Sequence, residues 1–153
     1  MHNVQADRPT RSFLLIDDDQ YSATFFSNQL EKCAGCEVAV LINWVSSAQS
    51  GQVALEGLTR CVDRTQIPDV VVVDLKASSS ANLNFVQQVS TRVKNTGVKL
   101  AVFVTPGSVD AEKMHAFATA GASAVFERHA NLDAFRTELS SLLQLSQGNS
   151  HAA

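Results

Sequence analysis

The chain has 153 residues, 45% of them hydrophobic and 18% charged, with a net charge of −3. This is the make-up of one ordinary globular domain with a single core, and it excludes a disordered chain. No Lys/Arg block offers a nucleic-acid footprint, no basic-then-apolar leader opens the chain, and no apolar run approaches the ~18 residues that cross a bilayer, so a cytoplasmic protein without nucleic-acid or membrane partners is expected.

Residues 1–12 are polar, contain Pro9, and read as a flexible lead-in. Residues 13–16, Phe-Leu-Leu-Ile, read as a buried strand. Residues 21–32 carry Tyr21, Phe25, Phe26 and Leu30 at roughly helical spacing with a polar opposite face. Residues 38–45 are rich in Val, Ile and Leu and predict a second strand. Ser46 and Ser47 can cap a helix to about residue 60, with Val53, Leu55 and Leu58 as its apolar members.

Pro68-Asp69 introduces a third strand, Val70-Val71-Val72-Val73, uniformly apolar as a parallel strand covered on both faces must be. A Ser/Ala/Asn loop over residues 77–82 leads to a helix over 83–94, which Gly97 ends. Residues 100–104 predict the fourth strand, 109–120 a helix stopped by Gly121, 123–126 a short fifth strand, and 132–145 the last amphipathic helix. Residues 146–153 read as a flexible tail, too short for a DNA-binding or catalytic output domain. Five strands alternating with five helices over residues 13–145 predict an α/β domain, a single doubly wound five-stranded parallel sheet with helices on both faces.

Cys33, Cys36 and Cys61 make no disulfide framework in a chain of this size. The pair Cys33-Ala34-Gly35-Cys36 has C-x-x-C spacing, but it closes a helix where a redox pair opens one, and Gly35 is placed to cap that helix. A zinc site lacks a second ligand pair. The spacing is read as chance. Trp44 is read as packing.

Chemistry concentrates where strands end. In a doubly wound sheet, ligands bind at the C-terminal ends of the strands, above all where strand order reverses. Asp17-Asp18-Asp19 follow the first strand, Asp74 closes the third, Thr105 follows the fourth and Arg128 follows the fifth. Polar strand ends are common because loops are solvated. Four complementary ones are a stronger signal. Clustered carboxylates repel one another unless a cation intervenes, and a hard ion such as Mg²⁺ prefers oxygen ligands. Asp17 and Asp18 can hold one, with Asp74 adding an oxygen. Asp74 can also act as a nucleophile and take up a phosphoryl group, whose oxygens suit the Thr105 hydroxyl and the Arg128 cation.

From about Phe13 to Leu145 the chain resembles a response-regulator receiver domain of two-component signalling, as an atypical member. The resemblance is carried by Leu-Leu-Ile-Asp-Asp-Asp at 14–19, Pro-Asp-Val-Val-Val-Val-Asp-Leu at 68–75, Ala-Gly-Ala-Ser-Ala at 120–124, and the spacing of Asp17, Asp74, Thr105 and Arg128. It implies a (βα)5 flavodoxin-like receiver fold and a bacterial, non-enzymatic phosphoprotein of a phosphorelay. By resemblance Asp74 is the phosphoacceptor, Asp17 and Asp18 support Mg²⁺, the Lys76 backbone carbonyl completes the metal site, and Thr105 is the switch hydroxyl. The implied partners are a sensor histidine kinase or phosphotransfer protein and a downstream protein, reached in similar proteins through the surface around residues 109–117 and 132–142. A homodimer is compatible with this reading.

Four features depart from the family pattern. Arg128-His129 stands where lysine and proline are usual; arginine keeps the charge in a bulkier planar fork, and without proline the easy route to a cis peptide is lost. The loop Ala77-Ser78-Ser79-Ser80-Ala81-Asn82 replaces the usual Met-Pro and Asp-Gly. Val125 holds the place of the switch aromatic, and Phe126 beside it faces the opposite way. The Lys76 ammonium can approach the acids, either aiding phosphate binding or competing with Mg²⁺. The leading expectation is a single-domain phosphorylatable receiver that signals by protein contact. The alternatives are a pseudo-receiver binding its partner irrespective of phosphorylation, and a Mg²⁺-dependent phosphohydrolase that would use Asp17-x-Asp19. Of the remaining candidates His115 and His129, His129 beside Arg128 is expected to be a solvated loop histidine more than a site residue.

Overall fold

Side chains on successive residues of β1 (Thr10–Asp17) enter two different cores. Phe13 and Leu15 join one, and Leu14 and Ile16 join the other. β3 (Val70–Asp74) repeats the division, with Val70 and Val72 on one side and Val71 and Val73 on the other. Strand side chains alternate with period two, so only a sheet covered on both faces buries every residue of such a run. The computed structural model describes residues 10–34, 37–44, 67–76, 80–107 and 110–148. The expected helix over 46–60, residues 77–79 of the expected loop, and Gly35, Cys36 and Cys61 lie outside them.

The remaining elements are α1 (Gln20–Cys33), β2 (Glu37–Trp44), α2 (Ser80–Val93), β4 (Lys99–Val104), α3 (Ala111–Thr119), β5 (Ala124–Glu127) and α4 (Leu132–Gly148). All strand pairs are parallel, in the order β2-β1-β3-β4-β5. α1 and α4 supply Phe26, Leu30, Phe135, Leu139 and Leu142 to one core. α2 supplies Phe85, Val86, Val89 and Val93 to the other, against which Phe117 of α3 packs. In the first core Phe103 is met by Phe26 at 5.0 Å and Phe126 at 5.2 Å between ring centroids, joining α1, β4 and β5. The expected doubly wound five-stranded sheet is the one observed.

Element ends differ from expectation by a few residues, for local reasons. β1 starts at Thr10, inside the expected lead-in, because Asp69 ties it down: the Ser12 amide donates to Asp69 Oδ2 (2.9 Å) and the Asp69 amide donates to Ser12 O (2.8 Å). α3 starts at Ala111, later than expected, because Asp110 accepts the Lys113 amide at 2.9 Å as an N-cap. Ser80, Ala81 and Asn82 form the first turn of α2 instead of loop. α4 runs on to Gly148, with Ser146 buried and its hydroxyl donating to Leu143 O at 2.6 Å.

Gly121, expected as a stop, is required at its position. Its φ of +117° is one L side chains rarely adopt, and an added Cβ would fall 2.5 Å from the Ser90 Cβ on α2. Gly121→Ala is therefore expected to cost about 2 kcal/mol of stability, measurable as a lowered urea midpoint with unchanged slope.

Candidate functional site

Register places the acids. β1 and β3 are neighbours with Asp17 opposite Asp74, each the last residue of its strand. The chain runs from β1 to β2 on one side and then to β3 on the other side of β1, so this pair stands at the switch point of the sheet. Both residues are fully buried, at 0% exposure. Asp18 lies in the next turn and accepts the Lys76 amide with both carboxylate oxygens, each at 3.0 Å. Asp19, which the phosphohydrolase alternative needs as its second acid, caps α1 by accepting the Tyr21 (3.0 Å) and Ser22 (3.2 Å) amides.

Two cations meet the buried pair. The Lys76 ammonium donates to Asp17 Oδ1 and to the Asp74 backbone carbonyl (3.2 Å), and lies 3.1 Å from Asp74 Oδ2. Arg128 pairs with Asp74 Oδ1 through Nη1, while its Nη2 donates to Thr105 Oγ1 at 2.6 Å. The guanidinium fork thus links the ends of β3 and β4 from the end of β5. Its own backbone amide is held by Val104 O at 2.7 Å, which continues the β4–β5 ladder past Glu127.

Electrostatics follow from burial. Asp17 is raised to about 6, by loss of hydration first and by Asp74 across the register second, against the opposing pull of Lys76. Burial also raises Asp74, against the pull of Lys76 and then Arg128. Asp17 Oδ2 and Asp74 Oδ2 are buried and, among the described residues, accept no hydrogen bond.

The residues singled out in the sequence, Asp17, Asp18, Asp74, Lys76, Thr105 and Arg128, therefore meet at one sheet edge. The Lys76 side chain, whose part the sequence left open, is central to the cluster. A signal for it exists: two residues after Asp74 along an extended chain, its side chain returns to the same side. His129 lies elsewhere, its Nε2 3.4 Å from Glu138 Oε1 and 4.0 Å from Glu127 Oε1. Val125 packs toward the α2 and α3 core while Phe126 sits in the opposite one, so the two residues do face apart. Among the described residues there is no cis peptide, no helix long and apolar enough to cross a membrane, and no group of three His, Cys, Asp or Glu side chains converging as a ready-made metal cage.

Such a cluster can take a phosphoryl group, exchange its internal cations for a metal ion, or stand as a static ionic network. No protein-family model and no curated protein sequence matches the chain. Solved structures do match. The phosphorylated cyanobacterial phytochrome response regulator RcpA covers 91% of this chain and 95% of its own length, with a TM-score of 0.68 at 11% identity. A putative pilus assembly-related protein from Burkholderia pseudomallei covers 90% of each chain, with a TM-score of 0.63 at 14% identity. The Mn²⁺-bound form of response regulator Rcp1 covers 86% of this chain and 91% of its own, with a TM-score of 0.61 at 10% identity. At such identities the likeness speaks to fold. The order and the parallel pairing of the five strands, with helices on both faces, are those of the flavodoxin-like fold of response-regulator receiver domains.

Proposed function

We propose that this chain is a receiver-type signalling module that accepts a phosphoryl group on Asp74 and passes the signal by protein contact. The observation that carries the reading is the Arg128 fork, which joins the carboxylate of Asp74 to the hydroxyl of Thr105. A phosphoryl group on Asp74 would carry oxygens into the space between those two groups, and both are suited to bond them. Asp74 supplies the nucleophilic oxygen, Arg128 holds it and the entering charge together, and Thr105 donates a hydroxyl hydrogen bond.

The donor set is all oxygen, and among the described residues the buried Asp17 Oδ2 accepts no hydrogen bond. That chemistry fits a hard divalent cation such as Mg²⁺. Asp17, Asp18, Asp74 and the Lys76 carbonyl are the groups that would hold it. When bound, the ion would offset the negative charge that Asp74 and an incoming phosphoryl group bring together. A sensor histidine kinase or phosphotransfer protein is the natural donor for such a site. The neighbours described as phosphorylated and as Mn²⁺-bound support both parts of the reading by analogy of fold.

A second reading has its own observation. Asp74 is fully buried with both carboxylate oxygens facing cations, which suits a pseudo-receiver that binds its partner irrespective of phosphorylation. Incubation with a small phosphodonor and Mg²⁺, followed by intact-mass analysis, separates the two. A gain of ~80 Da that is lost in Asp74→Asn is expected. An unchanged mass at saturating donor would sink the phosphoacceptor reading and favour the second.

A further inference from the structure

We propose that Lys76 is a resident counter-ion of the acid site, so that a divalent cation binds there by exchange with the Lys76 ammonium. This deepens the metal-binding part of the reading above and rests on it. The ammonium is a compact charge, and three oxygens surround it: Asp17 Oδ1 and Asp74 O accept its hydrogen bonds, and Asp74 Oδ2 is an ion-pair partner 3.1 Å away. Two of the carboxylates suited to a metal are thus already bridged by one cation. The third, Asp18, is held to the same residue by the Lys76 amide. Lys76 therefore touches every member of the acid set.

Charge makes the exchange necessary. Asp17 and Asp74 face two cations, Lys76 and Arg128, and Asp18 is held beside them on the Lys76 amide. A divalent ion added with both cations in place would leave the site with more positive than negative charge in a poorly hydrated pocket, which is unfavourable. Of the two, Lys76 is the one that moves. Its side chain is 24% exposed on a flexible stem, against 16% for Arg128, whose fork is also anchored on Thr105.

The test measures Mg²⁺ and Mn²⁺ binding by calorimetry to the wild type, Lys76→Met and Arg128→Met. Lys76→Met is expected to bind about tenfold more tightly than the wild type, and Arg128→Met to gain far less although it removes the same charge. If Lys76→Met folds poorly, the ¹⁵N signal of the Lys76 ammonium in the wild type gives a second readout. It is expected to move toward that of a solvated lysine as Mg²⁺ is added, with the midpoint of the binding curve. The proposal is overturned by affinities of wild type and Lys76→Met within about twofold, by an equal gain in Arg128→Met, by a Lys76 signal that saturating Mg²⁺ leaves in place, or by no binding to any of the proteins at millimolar Mg²⁺. Tight binding by Lys76→Met without a mass gain from phosphodonor supports the exchange while removing the phosphoacceptor function.

Discussion

In metal-free buffer at pH 7, Lys76→Met is expected to unfold with about 3 kcal/mol less free energy than the wild type. The substitution preserves the apolar stem and removes one of the two cations that meet the buried acids. Asp17 then loses its ion pair altogether among the described residues, while Asp74 keeps Arg128. Breaking a buried pair on one side is costly because the remaining charge is left without compensation in a poorly hydrated place. The figure is set at the low end of that range because the lysine side chain retains some exposure. Asp17 can also limit the loss by taking up a proton, which its raised pKa already favours. The deficit should therefore shrink as pH falls from 7 toward 5. Urea unfolding of both proteins with chelator present measures it. A loss below about 1 kcal/mol is what an exposed surface pair gives, and it would mean that the Lys76 contacts contribute no more than one. For a domain of this size the full loss is a large part of the total, so the variant is best studied in the cold.

Most of the fold was legible because hydrophobic period and strand burial are the same statement. The run Val70–Val73 has no polar residue, and only a strand covered on both faces accepts that. Sequence positions of Asp17 and Asp74 at the ends of such strands made a shared edge the natural expectation. What the sequence could not supply is register. Asp17 lies opposite Asp74 because Phe13 pairs with Val70, and a slip by one residue would reverse which core each strand residue enters. Element ends were less legible because they are set by single side chains, Asp110 at α3 and Asp69 at β1, whose partners are distant in sequence or invisible to periodicity. Within the site, Arg128 and Thr105 could be assigned to neighbouring strand ends. Their direct bond, and the choice of Lys76 between the phosphate and the acids, depend on rotamers that carry no sequence pattern. The structure gives the ammonium to the acids.

Stability should also rise as the pH is lowered from 7 to 5, by about 1–2 kcal/mol from Asp17 alone. The folded protein raises Asp17 from an ordinary 3.8 to about 6, so it binds that proton more tightly than the unfolded chain does. The contribution is therefore complete below the unfolded value and is lost as pH rises through about 6. The whole of it amounts to about 3 kcal/mol, but only the upper part falls within the window from 7 to 5, before other carboxylates protonate. Asp74 is shifted in the same direction and adds to the slope. The comparison that isolates the effect is Asp17→Asn. Asparagine retains an oxygen for the Lys76 ammonium and the Asp19 amide, which Asp17 Oδ1 accepts at 2.9 Å, but has no proton to gain. Unfolding curves at pH 5 and 7 should show a flatter profile for Asp17→Asn by about 1 kcal/mol, with titrating groups outside the site cancelling in the difference. A wild type whose stability increases from pH 5 to 7, or an Asp17→Asn profile parallel to it, would show that burial at the β1 edge does not govern this carboxylate. The same desolvation that makes Asp17 hold its proton makes an ionised Asp17 seek a cation, so the slope with pH and the attraction for Lys76 have one physical source.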